Sequence, residues 1–316
     1  MRTSSVGLGL AVLSAATFGT SGAFAATLMR TGWTPGAAVA ARICVAALIL
    51  TVPAVRQLRG RWGLLRANAR SVLAFGVVAV GGAQMFYFSA VQHLSVGVAL
   101  LLEYSGVLLV VGWMWLRHGQ RPTGLTIAGG AAAIGGLMLV LDVTGSQRVD
   151  IVGVLWGLAA ATGLAVYFVI SARTDESLPP IVTAWSGMVV GAVTLGILGA
   201  VQVLPMRVST ADVDLAGRQL SWVVPVLGLA VVAAAIAYAT GIGAARRLGA
   251  RLASFVGLTE VLFAVLFAWV VLDQRPTGLQ AIGGVVVLAG IALVRVAERE
   301  PAPEPVAAPQ PAGSIG

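Results

Sequence analysis

The chain has 316 residues, 58% of them hydrophobic and 10% charged, with a mean hydropathy of +0.94. A water-soluble domain carries about 45–50% apolar and about 25% charged residues, so a soluble globular protein is excluded. The net charge of +8 comes from 20 basic residues, all Arg, against 12 acidic ones; they sit between apolar runs, where they orient a chain in a membrane and do not form a nucleic-acid patch.

In chain order, ten apolar segments are predicted at about 6–29, 35–55, 71–91, 94–116, 122–141, 150–171, 180–204, 221–244, 248–272 and 276–296. At about 1.5 Å per residue, each can cross about 30 Å of hydrocarbon. Backbone groups find no water there, so the segments are predicted to be α-helices; the short alternating runs of a barrel are missing from the sequence. The first segment follows Arg2 and contains Ala23-Phe24-Ala25, which resembles a cleavage site. Its apolar stretch of about 24 residues is too long for a signal core, so it is read as a retained span. Arg42 stands inside the second segment. Cys44, the only cysteine, allows no intramolecular disulfide and is read as a packing residue. Pro35, Pro122, Pro180 and Pro276 are predicted to open helices, where proline costs least. The longer connectors are the Arg-rich 56–70 and the polar 205–220, and from Glu298 a Pro- and Ala-rich tail is predicted to be disordered. With both termini in the cytoplasm, 14 Arg fall on inside segments and 5 on outside segments. That bias predicts a multi-pass cell (plasma or inner) membrane protein with both ends cytoplasmic.

The hexapeptide "QRPTGL" occurs at 120–125 and again, 154 positions later, at 274–279. At the same offset Trp115 matches Trp269, Gly129-Gly130 matches Gly283-Gly284, Gly136 matches Gly290, and Leu139 matches Leu293. A weaker match pairs Ala15-Ala16-Thr17 with Ala160-Ala161-Thr162, and Pro35 with Pro180. The chain therefore reads as two five-span units, 1–145 and 146–297, followed by the tail 298–316. Five is odd, so the second unit enters the membrane from the opposite side. The predicted fold is an all-α polytopic membrane protein of ten transmembrane helices in two inverted five-helix repeats. Inverted repeats are a signature of secondary transporters.

Three stretches carry a family resemblance: "AATFGTSGAFAATLMRTG" from Ala15, "GVALLLEYSGVLLVVGWMWL" from Gly97 and "ASFVGLTEVLFAVLFAWVVLDQRPTG" from Ala253. With Arg42 in the second span, they resemble the EamA group of the drug/metabolite transporter superfamily over about 6–296. The resemblance implies ten spans in two repeats, both ends inside, and export of amino acids, metabolites or drugs. The prolines that this group often places in its fourth and ninth helices fall here on Val107 and Val261, and its usual terminal Gly-Glu pair is Gly119-Gln120 and Asp273-Gln274.

Ionisable groups at membrane depth cost about 2.5–3.5 kcal/mol on insertion scales and are default functional candidates. Glu103 lies about 14 Å into the fourth span, Glu260 about 18 Å into the ninth and Arg42 about 10 Å into the second. The Trp-anchored alignment leaves the two glutamates three residues apart, nearly one turn, so both can reach one central cavity. Desolvation penalises a charged carboxyl group; each glutamate is a candidate carrier of a proton or counter-ion for a substrate amine. Arg42 is a candidate in the same site and also a structural partner for a carboxylate. Gln84 and Tyr87 share a face of the third helix, Tyr104 follows Glu103 and Thr259 precedes Glu260. With Trp156, Tyr167, Trp185 and Tyr238 these residues are candidates to line a mixed apolar and polar pocket, each also readable as packing or an interfacial anchor.

Nothing in the sequence assembles an enzyme site. His93 and His118 lie far apart near membrane surfaces, no Cys/His/Asp cluster has metal-ligand spacing, and no Gly-rich phosphate loop is followed by Lys. No cofactor and no metal are expected. The function expected is secondary active transport of a small organic solute by alternating access, with protons as a candidate coupling ion and a homodimer as a candidate assembly. A channel, a non-transporting scaffold and an intramembrane enzyme using the two glutamates are the alternatives.

Overall fold

The computed structural model describes residues 2–91, 93–94, 96–140, 150–172, 178–272 and 275–297. The expected junction near residue 145, the pair Asp273-Gln274 and the tail 298–316 lie outside the described residues. The elements are α1 (Arg2–Gly19), α2 (Ser21–Arg30), α3 (Pro35–Leu58), α4 (Gly63–Ala67), α5 (Ala69–Ala74), a π-helical segment Phe75–Gly82, α6 (Ala83–Val91), α7 (Val96–Tyr104), α8 (Gly106–His118), α9 (Gly124–Val140), α10 (Ile151–Ser171) and α11 (Pro180–Ala200). A hairpin of β1 (Val213–Leu215) and β2 (Arg218–Leu220) follows, then α12 (Val223–Leu227), a second π-helical segment Gly228–Ile236, α13 (Ala237–Gly257), α14 (Thr259–Leu272) and α15 (Gly278–Ala297). Among the described residues eight helical stretches are long and apolar enough to cross a membrane, and α9 is a shorter apolar helix. The protein is an all-α polytopic membrane protein.

The 35-residue stretch Val223–Gly257 is not one straight helix. Gly249 has φ +79° and ψ 162°, a conformation that breaks the helix and is open in practice to glycine alone. α1 records the reversal. The Ser14 hydroxyl donates to the Ala237 carbonyl at 2.8 Å, Gly7 faces Arg247 and Leu248, and Gly19 faces the Glu260 carbonyl and Phe263. Along α13 the chain thus runs down α1 and then, past Gly249, back up it into α14.

Proline behaves in two ways. Pro35 and Pro180 stand at the first position of α3 and α11, as expected. Pro122 and Pro276 stand two residues before α9 and α15, so the expectation that they open those helices is corrected. Thr123 and Thr277 cap them instead: the Thr123 hydroxyl accepts from Thr126 N at 3.2 Å, and the Thr277 hydroxyl accepts from Gln280 N at 3.2 Å. Gln280 Oε1 in turn accepts from Thr277 N at 2.9 Å, closing a reciprocal capping box.

α9 and α15 pack through their small residues. A Cβ added at Gly129 would lie 2.7 Å from the Gly290 carbonyl, and one added at Gly136 would lie 2.7 Å from the Gly283 carbonyl. The order 129 then 136 meets 290 then 283, so the two helices run antiparallel. Glycine lets the backbones approach where apolar burial against lipid supplies little attraction.

The polar connector 205–220 is more ordered than its composition suggests. β1 and β2 pair antiparallel through a turn at Ala216 (φ +55°) and Gly217 (φ +73°), and both positive φ values match a type I′ turn. At this same end of the bundle Trp33 Nε1 donates to the Ser209 carbonyl at 2.6 Å and Trp33 packs on Trp222 at 5.8 Å. His93 Nδ1 lies 2.8 Å from Asp150 Oδ2, and Asp150 caps α10 by accepting from Val152 N. That backbone donor first, then His93, hold the Asp150 carboxyl below its usual range.

Candidate functional site

Two helix interruptions create the site. α7 ends at Tyr104 and α8 restarts at Gly106; α13 ends at Gly257 and α14 restarts at Thr259. At each joint a hydroxyl bonds back along its own helix, Ser105 to the Leu102 carbonyl and Thr259 to the Val256 carbonyl, and a tight i to i−3 bond follows, Leu108 N to Ser105 O and Val261 N to Leu258 O. Both joints form although the positions where the EamA group often has proline are Val107 and Val261. Val107 and Val261 simply pack, at 0% and 2% exposure. Glu103 and Tyr104 occupy the last turn before one joint, and Glu260 the first turn after the other. A helix N-terminus favours negative charge, so Glu260 is placed where a carboxylate is best tolerated.

Both carboxyl groups face a central cavity of about 70 Å³. α1, the first π-helical segment with α6, α7, α10, α13 and α14 all contribute to its wall. Alanine and glycine make the room, among them Ala11, Ala15, Ala79, Ala83 and Gly241. Glu260 accepts a hydrogen bond from the buried Tyr104 hydroxyl. Glu103 is 9% exposed and, among the described residues, receives no side-chain hydrogen bond. Aromatic rings close one side: Phe18 meets Tyr238 edge-on at 5.0 Å, Tyr167 meets Tyr238 at 5.6 Å, and Phe75 stacks on Tyr167 at 5.8 Å. The cavity has room for a few waters, while organic ligands occupy pockets of about 300–1,000 Å³.

Arg42 stands behind this wall. It is 4% exposed, donates to the Ser21 hydroxyl at 3.1 Å, to Gln84 Oε1 at 3.3 Å and to the Ala233 carbonyl, and its guanidinium lies 5.8 Å from the Phe18 ring centre. Ala233 lies in the second π-helical segment. Among the described residues Arg42 forms no ion pair with either glutamate, so the expected structural pairing with a carboxylate is not made. Its positive field still reaches both across the cavity.

Of the residues singled out from sequence, the fold gathers Glu103, Glu260, Gln84, Tyr104, Tyr238 and Tyr167 at the cavity and sets Arg42 against it through Gln84. Tyr87 is half-buried one turn beyond Gln84, within Coulombic reach of both glutamates. Trp185 and Thr259 are not among the residues that line the cavity. The Trp185 indole donates to the Thr51 hydroxyl at 3.0 Å, between α11 and α3, and the Thr259 hydroxyl serves its own helix joint. Trp156 stacks on Phe86 at 5.6 Å, away from the cavity. Sequence reasoning missed Ser14 and Phe18. Their signal was the helical face Ala11, Ser14, Ala15 and Phe18, spaced three and four apart on α1.

The chain matches the model of the EamA-like transporter family twice, over 5–142 and 151–296. It is 27% identical over 224 residues to the threonine/homoserine exporter of Salmonella typhimurium, covering 69% of each chain. It is 38% identical over 73 residues to the pseudopaline exporter of Pseudomonas aeruginosa, covering 23% of each, so the chain matches under a quarter of that relative's length. An uncharacterized transporter of Clostridium kluyveri is 23% identical over 253 residues, 78% of each chain. A chain of known crystal structure superposes with a TM-score of 0.74 at 21% identity, over 95% of this chain and 99% of that one.

Proposed function

The chain belongs to the EamA-like transporter family, and from that premise we propose that it is a secondary active exporter of a small organic solute, an amino acid, metabolite or drug-like compound, working by alternating access and coupled to protons. The observation that carries the reading is the pair of carboxyl groups, Glu103 and Glu260, set at two helix joints against one central cavity. A carboxyl group in such a place is costly to keep charged and unpaired, so each is suited to hold a proton or the cationic group of a solute in turn.

We also propose ten transmembrane helices in two inverted five-helix repeats, with both termini cytoplasmic. Four observations support it. The family model matches once in each half. The reciprocal contacts Gly129 on Gly290 and Gly136 on Gly283 exchange residues 154 apart, as a two-fold axis requires. The π-helical segments Phe75–Gly82 and Gly228–Ile236 fall at nearly the same offset, as do the joints at Ser105 and Leu258.

A thermal-shift screen of the purified protein against amino acids, metabolites and cationic drugs at two pH values selects the solute; threonine is the first to try. In proteoliposomes the wild type is expected to drive that solute against its gradient, and an uncoupler to abolish the movement. Glu260→Gln is expected to insert normally and to lose proton-driven flux. Full proton-driven flux in that variant removes the coupling role, and a pore-like conductance in the wild type favours a channel.

A further inference from the structure

A second cavity, of about 190 Å³, opens at the end of the bundle that carries Thr34. α3, α6, α11 and the segment Val201–Arg207 surround it; Thr34, Ser89 and Arg207 supply its polar rim, and Val39, Met85 and Leu195 its apolar floor. One layer of side chains separates it from the central cavity. Met85 faces the outer cavity while its neighbour Gln84 lines the inner one, and Val39 stands one turn before Arg42, which donates to Gln84.

The roof is held mainly at one residue, Thr34, whose hydroxyl accepts from Arg207 N at 3.0 Å. Thr34 N donates to the Arg207 carbonyl at 3.0 Å, the Thr34 hydroxyl donates to the Pro205 carbonyl at 2.7 Å, and Leu204 fills the notch left by Gly36, where a Cβ would lie 2.7 Å from Leu204 Cγ. Where the chain leaves α11, Gln202 adopts φ +59°, a conformation uncommon for a residue with a side chain. Beyond the turn bonds that Gln202, Val203 and Leu204 make back to the end of α11, the hydrogen bonds of this segment among the described residues all meet at Thr34. Its apolar contacts are Leu204 in the Gly36 notch and Met206 beside Gly199, so release at Thr34 and at these two side chains frees it to swing about Gln202.

We propose that this cavity is the vestibule by which solute leaves the central site, and that Val201–Arg207 is its lid. Leu204 in the Gly36 notch is the plug, and Arg207 is the rim cation that draws an anionic group of the departing solute outward. The inference rests on the exporter reading above and adds the route and its gate.

The test locks the plug. Gly36→Cys with Leu204→Cys, in a Cys44→Ser background, places two thiols where the notch and plug now touch, within disulfide reach. In proteoliposomes the oxidised protein is expected to move labelled threonine at least about tenfold more slowly than the reduced protein, and dithiothreitol to restore the rate. Separately, Ser89→Cys in the same background is expected to react with a membrane-impermeant maleimide from the face opposite the termini. Fully cross-linked protein that transports at the reduced rate overturns the lid, and so does an unreactive Ser89→Cys, whether or not threonine is moved. Either result leaves the exporter reading standing when the wild type transports; a wild type that moves nothing removes both.

Discussion

A buried guanidinium is tolerated only with its donors used, and Arg42 spends its own on three different elements: Ser21 on α2, Gln84 on α6 and the Ala233 carbonyl of the second π-helical segment. It therefore fixes the wall of the central cavity without entering it. Arg42→Ala strands the Ala233 carbonyl and removes the tie between these elements. An unsatisfied buried acceptor costs about 1–3 kcal/mol, so the variant is expected to melt at a lower temperature in detergent, read by intrinsic fluorescence. Lysine presents a point charge and cannot span three acceptors in the geometry of a planar fork, so Arg42→Lys is expected to recover only part of the loss. Full stability in Arg42→Ala would remove the structural role assigned to these bonds.

The elements explain why one hexapeptide appears twice. Each copy leads into a helix start that threonine caps, and the second copy extends the cap to Gln280, whose amide nitrogen also donates to the Val140 carbonyl at 3.1 Å. That last bond ties the start of α15 to the end of α9. Loss of a threonine cap costs about 1 kcal/mol, so Thr277→Ala is expected to destabilise by that amount, measured by reversible unfolding in mixed micelles. Thr277→Ser keeps the acceptor and is expected to restore most of it. Equal stability of the alanine variant would show that the capping box contributes nothing there. The helix joints carry a related lesson: a hydroxyl back-bond and one tight turn at Ser105 and at Leu258–Thr259 interrupt the helices where proline is missing.

At the scale of the whole molecule the proposed inverted repeat makes a sidedness statement. Tags at Met1 and Gly316 are expected to be reached only from the cytoplasm, and a tag inserted at the Ala216–Gly217 turn only from the other face. Termini on different faces would overturn the topology. Composition and apolar run length by themselves determined a helical membrane protein, because lipid leaves backbone groups no other way to be satisfied. Spacing located Glu103, Glu260 and Arg42 as groups too polar for their depth. What the sequence left open was set by contacts between distant segments: the reversal at Gly249, the closing of α9 on α15, the tie from Arg42 to Ala233, and the placing of Trp185 and Thr259 away from the cavity. A run of apolar residues states that a side chain is out of water. Which neighbour it meets depends on how the helices rotate and cross, and only the folded chain decides that.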